Sequence, residues 1–409
     1  MCFGTPSFDI WKCKRQCGKI TGNYQYGGST GGGLEAVSLI VALVIASLVY
    51  ILQKHLYAVW WNRNLDVTIS FADPYVREGE KSALKEVIYN GKILPLPVFH
   101  VKFSADRSFQ FEDTENTVVT DSYYRNDVFS VLGYRKITRT LPFQTSKRGL
   151  YGIPNLNVIA RDFFMTTNFA YSKSGNAWIY VLPERVYTPE LSMFCTHLLG
   201  ELETRRNRME DPYTFRGIRE YAYGDTIGKV NWKATAKTAQ LMVNMYGYTS
   251  EQRVRILLNL ETNMMGKTEN LQEMSIRMAG TVAEYFLKNK VSVEILSNGI
   301  DQTTGDCERV EAGMSMEHGV TIDKYLARIM ENAGIDRFMN IVNDELSHME
   351  ETVTYVVISP YYKDDLLVKL DYMQKNHMAV QMLVPYYDIQ DKENWRNYMH
   401  GVEVKWNEV

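Results

Sequence analysis

Residues Ala36 to Leu52 read AVSLIVALVIASLVYIL without a single charge, and this run restricts the chain more than any other feature. A bilayer span needs about 20 mostly apolar residues, with a working range of about 17–25. Leu34 and Gln53 extend the run, and Tyr50, Tyr57, Trp60 and Trp61 lie where an aromatic belt belongs. A core helix of this purity would be unusual. A cleaved signal peptide would end in small residues, whereas this run continues into KHLYAVWWNR. The expectation is a single uncleaved anchor over residues 34–62, behind a flexible tail, residues 1–33, that contains GGSTGGG. Lys12, Lys14, Arg15 and Lys19 precede the span, while Lys54 and Arg63 follow it. Positive-inside bias alone would put the N-terminus in the cytoplasm and the body outside.

The 409 residues suffice for two or three domains. A composition 45% hydrophobic and 23% charged argues against wholesale disorder. The net charge of -3 lacks the basic footprint of a nucleic-acid binder, so no nucleic-acid partner is expected. Cys2, Cys13, Cys17, Cys195 and Cys307 are odd in number and scattered, which makes a poor disulfide framework and an incomplete zinc set. They read as incidental thiols.

Beyond the span, residues 65–187 read as short strands punctuated by Gly, Pro and Asn: LDVTISF, LPLPVFHVKF, YRKITRTLPF, GLYGIPNLNVIA and AWIYVLP. That spacing predicts a β-sandwich-like domain. YYRNDVFS, Tyr123 to Ser130, reads as an aromatic surface strand. Within the segment 188–250, which joins the two regions, ELETRRNRMEDP reads as a linker ahead of the signature motif. From residue 251 to 409 strands and helices alternate: VRILLNL, a helix over Gln272–Asn289, VSVEIL, a helix over Ile322–Met330, VTYVVIS, a helix over Asp364–Gln374, MAVQMLVP and VEVKW. Alternation of this kind predicts a doubly wound parallel α/β sheet.

Between the two regions lies FRGIREYAYGDTIGKVNWKATAK, Phe215 to Lys237. Arg216 and Arg219 would share a face on a helical turn. Gly224-Asp225 signals a turn, and Asp225 could cap a following helix. Trp232 is a large apolar anchor, with Lys233 and Lys237 behind it. Two readings stand. One is a recognition surface in which Arg216, Arg219, Lys233 and Lys237 meet an acidic partner. The other is a clip between domains, with Trp232 and Tyr221 filling a seam and the arginines paired to acids such as Glu220 or Asp211.

The segment resembles the signature of the DUF58 family, roughly F-x-G-x-R-x-Y-x-x-G-D-x-x-R-x-I-x-W-x-x-x-A-K/R. Phe215, Gly217, Arg219, Tyr221, Gly224, Asp225, Trp232, Ala236 and Lys237 fall on that pattern, and Gly228 replaces its usual second arginine. Arg148, Gly149, Tyr151, Asp162 and Pro183 also resemble that family's framework, with Phe163 standing in for an expected proline. The resemblance implies a bacterial protein with a von Willebrand factor A-like C-terminal domain and a MoxR-type AAA+ ATPase as partner in handling a client protein. It also implies a body in the cytoplasm, although the family usually carries a two-helix membrane hairpin. Metal-binding von Willebrand A domains hold Mg²⁺ through D-x-S-x-S after the first strand. Here Asn259, Glu261 and Asn263 occupy those places, and Ser359-Pro360 ends the third strand where an acid would be expected. A degenerate position with no metal and no cofactor is expected.

No H-E-x-x-H, nucleophile elbow or P-loop occurs in the chain. The sequence therefore predicts a single-pass, membrane-anchored, non-enzymatic scaffold. The alternative is a hydrolase with a dispersed site, for which Cys195 and His197 would be the first candidates.

Overall fold

The apolar run forms helix α1 (Gly32–Trp60). A computed structural model describes residues 32–113, 117–208, 210–248, 252–261, 268–330, 337–348, 350, 352–387 and 395–404. The tail, Cys2, Cys13, Cys17 and Asn263 lie outside the described residues. Two units separate, Met1–Val59 and Trp60–Val409. The stretch Ala36–Trp60 is 25 residues long with mean hydropathy 2.5, long and apolar enough to cross a membrane. At about 1.5 Å per residue it exceeds a hydrocarbon core of about 30 Å.

The second unit begins with a β-sandwich made of β1 (Leu65–Phe71), β2 (Tyr75–Arg77), β3 (Lys81–Asn90), β4 (Leu96–Asp106), β5 (Phe109–Phe111), β6 (Thr117–Val119), β7 (Ser122–Val131), β8 (Arg135–Thr145), β9 (Gly149–Arg161) and β10 (Asn168–Leu182). One sheet runs β1-β3-β8-β5 and the other β2-β10-β9-β4-β7-β6. Alternation explains the layering. In β3 every second residue is buried, so Leu84 and Ile88 face inward beside Leu141 of β8. Phe99, Val101 and Phe103 of β4 and Leu156, Val158 and Ala160 of β9 supply the opposing face. Phe109 stacks edge-on against Phe143, 4.9 Å away, and against Tyr151 of the facing sheet, 5.3 Å away. The predicted surface strand is β7, but its Arg125 and Asp127 are buried, paired to each other at 2.7 Å and to Asp113 and Arg139.

The predicted linker is instead the end of a helix, α2 (Pro189–Arg208). Leu191, Phe194, Cys195, Leu198 and Leu202 recur at three- and four-residue steps, and that stripe is buried. It covers the α/β domain, so α2 belongs to that domain rather than to a connector. An arm follows: β11 (Glu210–Glu220), a 3-10 turn at Ile227–Lys229, α3 (Trp232–Thr238) and β12 (Met242–Tyr248), with β11 and β12 antiparallel.

The α/β domain comprises β13 (Arg253–Leu258), α4 (Thr268–Lys288), β14 (Ser292–Ser297), β15 (Ile300–Asp301), β16 (Arg309–Gly313), α5 (Met316–Arg328), β17 (Ile329–Met330), α6 (Arg337–Ser347), β18 (Val353–Ile358), α7 (Asp364–Lys375), β19 (Ala379–Tyr386) and β20 (Met399–Glu403). Its main sheet runs β16-β14-β13-β18-β19-β20. All its pairs are parallel except β16 with β14, an antiparallel edge that the alternation did not reveal. Val254, Ile256 and Leu258 turn toward α2, α4 and α5, while Leu257 joins α6 and α7 on the other face. Both faces are covered, as a doubly wound sheet requires.

Candidate functional site

The carboxyl ends of β13 and β18 mark the point where the strand order reverses, the usual ligand position in such sheets. Asn259 and Ser359 stand there, fully buried with Asn298. Asn259 Nδ2 donates to Ser359 Oγ at 3.0 Å, and Asn298 Nδ2 donates to Asn259 Oδ1 at 2.9 Å. The Glu261 N–H donates to Asn259 Oδ1, and Ser359 Oγ–H donates to the Tyr361 carbonyl. A D-x-S-x-S site aims its oxygens at an ion. Here the side chains of Asn259 and Ser359 are bonded to neighbouring protein groups, and the described network is neutral apart from the half-buried Glu261. Among the described residues no group of three or more His, Cys, Asp or Glu side chains is placed to hold a metal. The arrangement ties three strand ends together.

The Phe215–Lys237 segment is not a seam. Arg216 and Arg219 lie on strand β11 rather than on a helical turn, and the β11–β12 register shifts between Phe215 and Gly217, at Arg216. Trp232 is 65% exposed, and Phe215, Tyr223 and Ile227 are exposed as well, so the clip reading fails at its anchor. Tyr221 is only half-buried, and Lys233 and Lys237 lie in the open on α3. Among the described residues of the arm only Val230 and Val243 are buried. Asp225 does not cap a helix. It accepts from both terminal nitrogens of Arg219, at 2.7 and 2.6 Å, and from the Ala222 N–H at 2.8 Å. Arg219's hydrogen bonds, followed by that N–H, hold the Asp225 carboxyl below the usual carboxylate range. Gly224 takes φ +103° in the same turn, a conformation open to glycine. The helix cap is Asn231, whose side chain accepts from the Ala234 N–H.

The true seam lies elsewhere and is built from arginines. Arg148 Nε donates to Glu273 of α4 at 2.6 Å. Its NH1 donates to the carbonyls of Leu326 and Ile329, each at 2.9 Å, closing the C-terminus of α5. Tyr151 OH donates to the Arg148 carbonyl, so the R-G-x-Y element acts as one clip. Arg185 grips both oxygens of Asp323 at 2.7 Å and also meets Glu284, and Arg77 reaches Asp323 at 3.2 Å. Arg277 meets Glu78 at 3.0 Å. Burial opposes the charge on Glu284, but Arg185 and Lys288 outweigh it and hold that carboxyl at about 2. For Asp323 the balance reverses, and burial raises its carboxyl against the pull of Arg185 and Arg77. Only Arg148, Gly149 and Tyr151 carried a sequence signal for this seam; acids on two helices gave none.

Cys195 and His197 do not form a dyad. Cys195 is buried under α2 with its thiol pushed up to about 12 by burial. His197 faces outward, 3.6 Å from Glu201.

No family model matches the chain, and no curated protein matches it. Solved structures match parts of it. A chain of a type I cohesin–dockerin complex from Clostridium thermocellum is 10% identical, with a TM-score of 0.21, over 28% of this chain and 99% of that one. A non-cellulosomal cohesin from Archaeoglobus fulgidus is 14% identical, with a TM-score of 0.21, over 32% and 97%. A CARDB domain from Pyrococcus furiosus is 14% identical, with a TM-score of 0.17, over 28% and 94%. Likenesses this slight carry no inference about activity.

Proposed function

We propose that this chain is a membrane-anchored, non-enzymatic scaffold of the DUF58 type, working through protein contacts with a MoxR-type AAA+ ATPase and an unidentified client. The observation that carries this reading is the arm. A lone two-stranded hairpin is marginal in water, and this one presents Trp232, Phe215 and Ile227 to solvent among Arg216, Lys233 and Lys237. Aromatic anchors ringed by basic groups suit a desolvating contact with an acidic protein surface. The Arg219–Asp225 bridge stiffens the turn that displays them. A doubly wound sheet whose first strand ends at a neutral asparagine network supports the von Willebrand A-like reading with a degenerate metal position. Helix α1 serves as the single-pass anchor, and an ATP-dependent partner places the body in the cytoplasm.

The test is affinity capture of the full chain from its native membranes, compared with Trp232→Ser and Arg219→Ala. An AAA+ ATPase recovered with the unaltered chain and lost with Trp232→Ser supports the proposal. Absence of any ATPase, or equal recovery with both variants, refutes it. Protease accessibility in intact cells tests the orientation.

A further inference from the structure

The strand registers bring several loops to one end of the sandwich. Leu65 pairs with Asn90 and Asn90 with Arg135, Leu96 pairs with Val131, and Asn168 pairs with Arg161. The connections 91–95, 132–134 and 162–167 therefore share the end at which the chain enters β1 from Trp60. Two contacts tie that entry to the β9–β10 hairpin: Trp61 stacks on Phe169, centroids 5.9 Å apart, and Lys173 meets Asp66 at 3.1 Å. Gly91 N–H donates to the Asn64 carbonyl and Tyr134 N–H to the Lys92 carbonyl, so the other loops are held at the same rim.

This rim exposes apolar side chains at every tip. Ile93 is 73% exposed, Tyr134 67%, Leu132 61%, Phe163 59%, Met165 54% and Phe164 49%. Hairpin tips are ordinarily polar, and apolar tips gathered at one end mark an interaction surface. Arg63, Arg135 and Lys136 are exposed beside them, whereas Asp162 is buried and bonded to Thr166 and Thr167. The rim thus combines amphipathic aromatics, aliphatic tips and cations.

Resting on the membrane-anchor reading, we infer that this rim is an interfacial foot that seats the sandwich in the headgroup layer of the membrane crossed by α1, with a preference for anionic lipid. Its occupant follows from position. Trp60 is the last residue of the apolar helix, Trp61 is held against Phe169, and β1 begins at Leu65, so the chain runs from the apolar helix directly into this end of the sandwich. Aromatics and basic residues together are the composition of membrane interfaces.

The experiment places photoreactive benzoylphenylalanine singly at Leu43, Tyr134, Phe163 and Tyr187 of the full chain, in vesicles of phosphatidylcholine with or without phosphatidylglycerol. Tyr187, 79% exposed beyond the other end of β10, is the control. Lipid adducts at Leu43, Tyr134 and Phe163 but not at Tyr187, increasing with phosphatidylglycerol at Tyr134 and Phe163, are expected. Adducts at Leu43 without lipid adducts at Tyr134 and Phe163, or with protein adducts there instead, overturn the foot and leave the anchor standing. No lipid adduct at Leu43 overturns both.

Discussion

Replacing Arg148 by Met removes the clip between the sandwich and the α/β domain while keeping a side chain of similar length. Its side chain is 4% exposed and that of its partner Glu273 is 7% exposed. Arg148→Met leaves a buried carboxylate without this cation and takes a donor from the carbonyls that end α5. Breaking a buried pair from one side costs about 3–5 kcal/mol. At about 2 °C per kcal/mol, the low end suited to a large folded body, melting falls by about 6–10 °C. The assay is thermal unfolding of the full chain in detergent for Arg148→Met, Glu273→Leu and the double variant. Because the double variant leaves no orphaned charge, it recovers about half of the single-variant loss or more. Single shifts below about 2 °C that simply add would refute the assignment of the seam to this pair.

Other predictions follow from the remaining charges. Burial, then the charge of Asp127, pushes the Glu86 carboxyl from 4.5 up to about 8. An acid raised in this way holds its proton when folded and loses it when unfolded, so stability falls as pH rises from about 4.5 to 8, at about 1.4 kcal/mol per pH unit. Glu86→Gln lacks that slope and is more stable than the unaltered chain by about 3 kcal/mol at pH 7, measured by denaturant unfolding across pH; parallel curves would contradict it. Arg219→Ala speeds hydrogen exchange at the Ala222 amide and proteolysis in the arm without lowering the melting point of the body, and unchanged exchange would remove the bridge from the account. Mg²⁺ gives no saturable thermal shift, because Asn259 Oδ1 already accepts from Asn298 and Ser359 Oγ from Asn259, and a clear shift would reopen the metal reading.

The parts legible in the sequence were those with a strict period. The charge-free run became α1, alternating residues became the sandwich, and apolar runs bounded by turns became β13, β14, β18 and β19. α2 was missed because ELETRR hides the polar side of a stripe whose buried members, Leu191 to Leu202, mostly lie upstream. The seam was largely invisible, since Arg148, Glu273 and the α5 carbonyls meet across more than a hundred residues. The Phe215–Lys237 segment misled in the opposite way. A tryptophan ordinarily owes its energy to burial, so Trp232 read as an anchor within the chain, yet its side chain is largely exposed.

A photoreactive probe at Tyr223, the most exposed aromatic among the described residues of the arm, tests that exposed surface in native membranes. One discrete protein adduct that contains an AAA+ ATPase and disappears with Trp232→Ser is expected. A probe that crosslinks only to lipid, or to nothing, would contradict it.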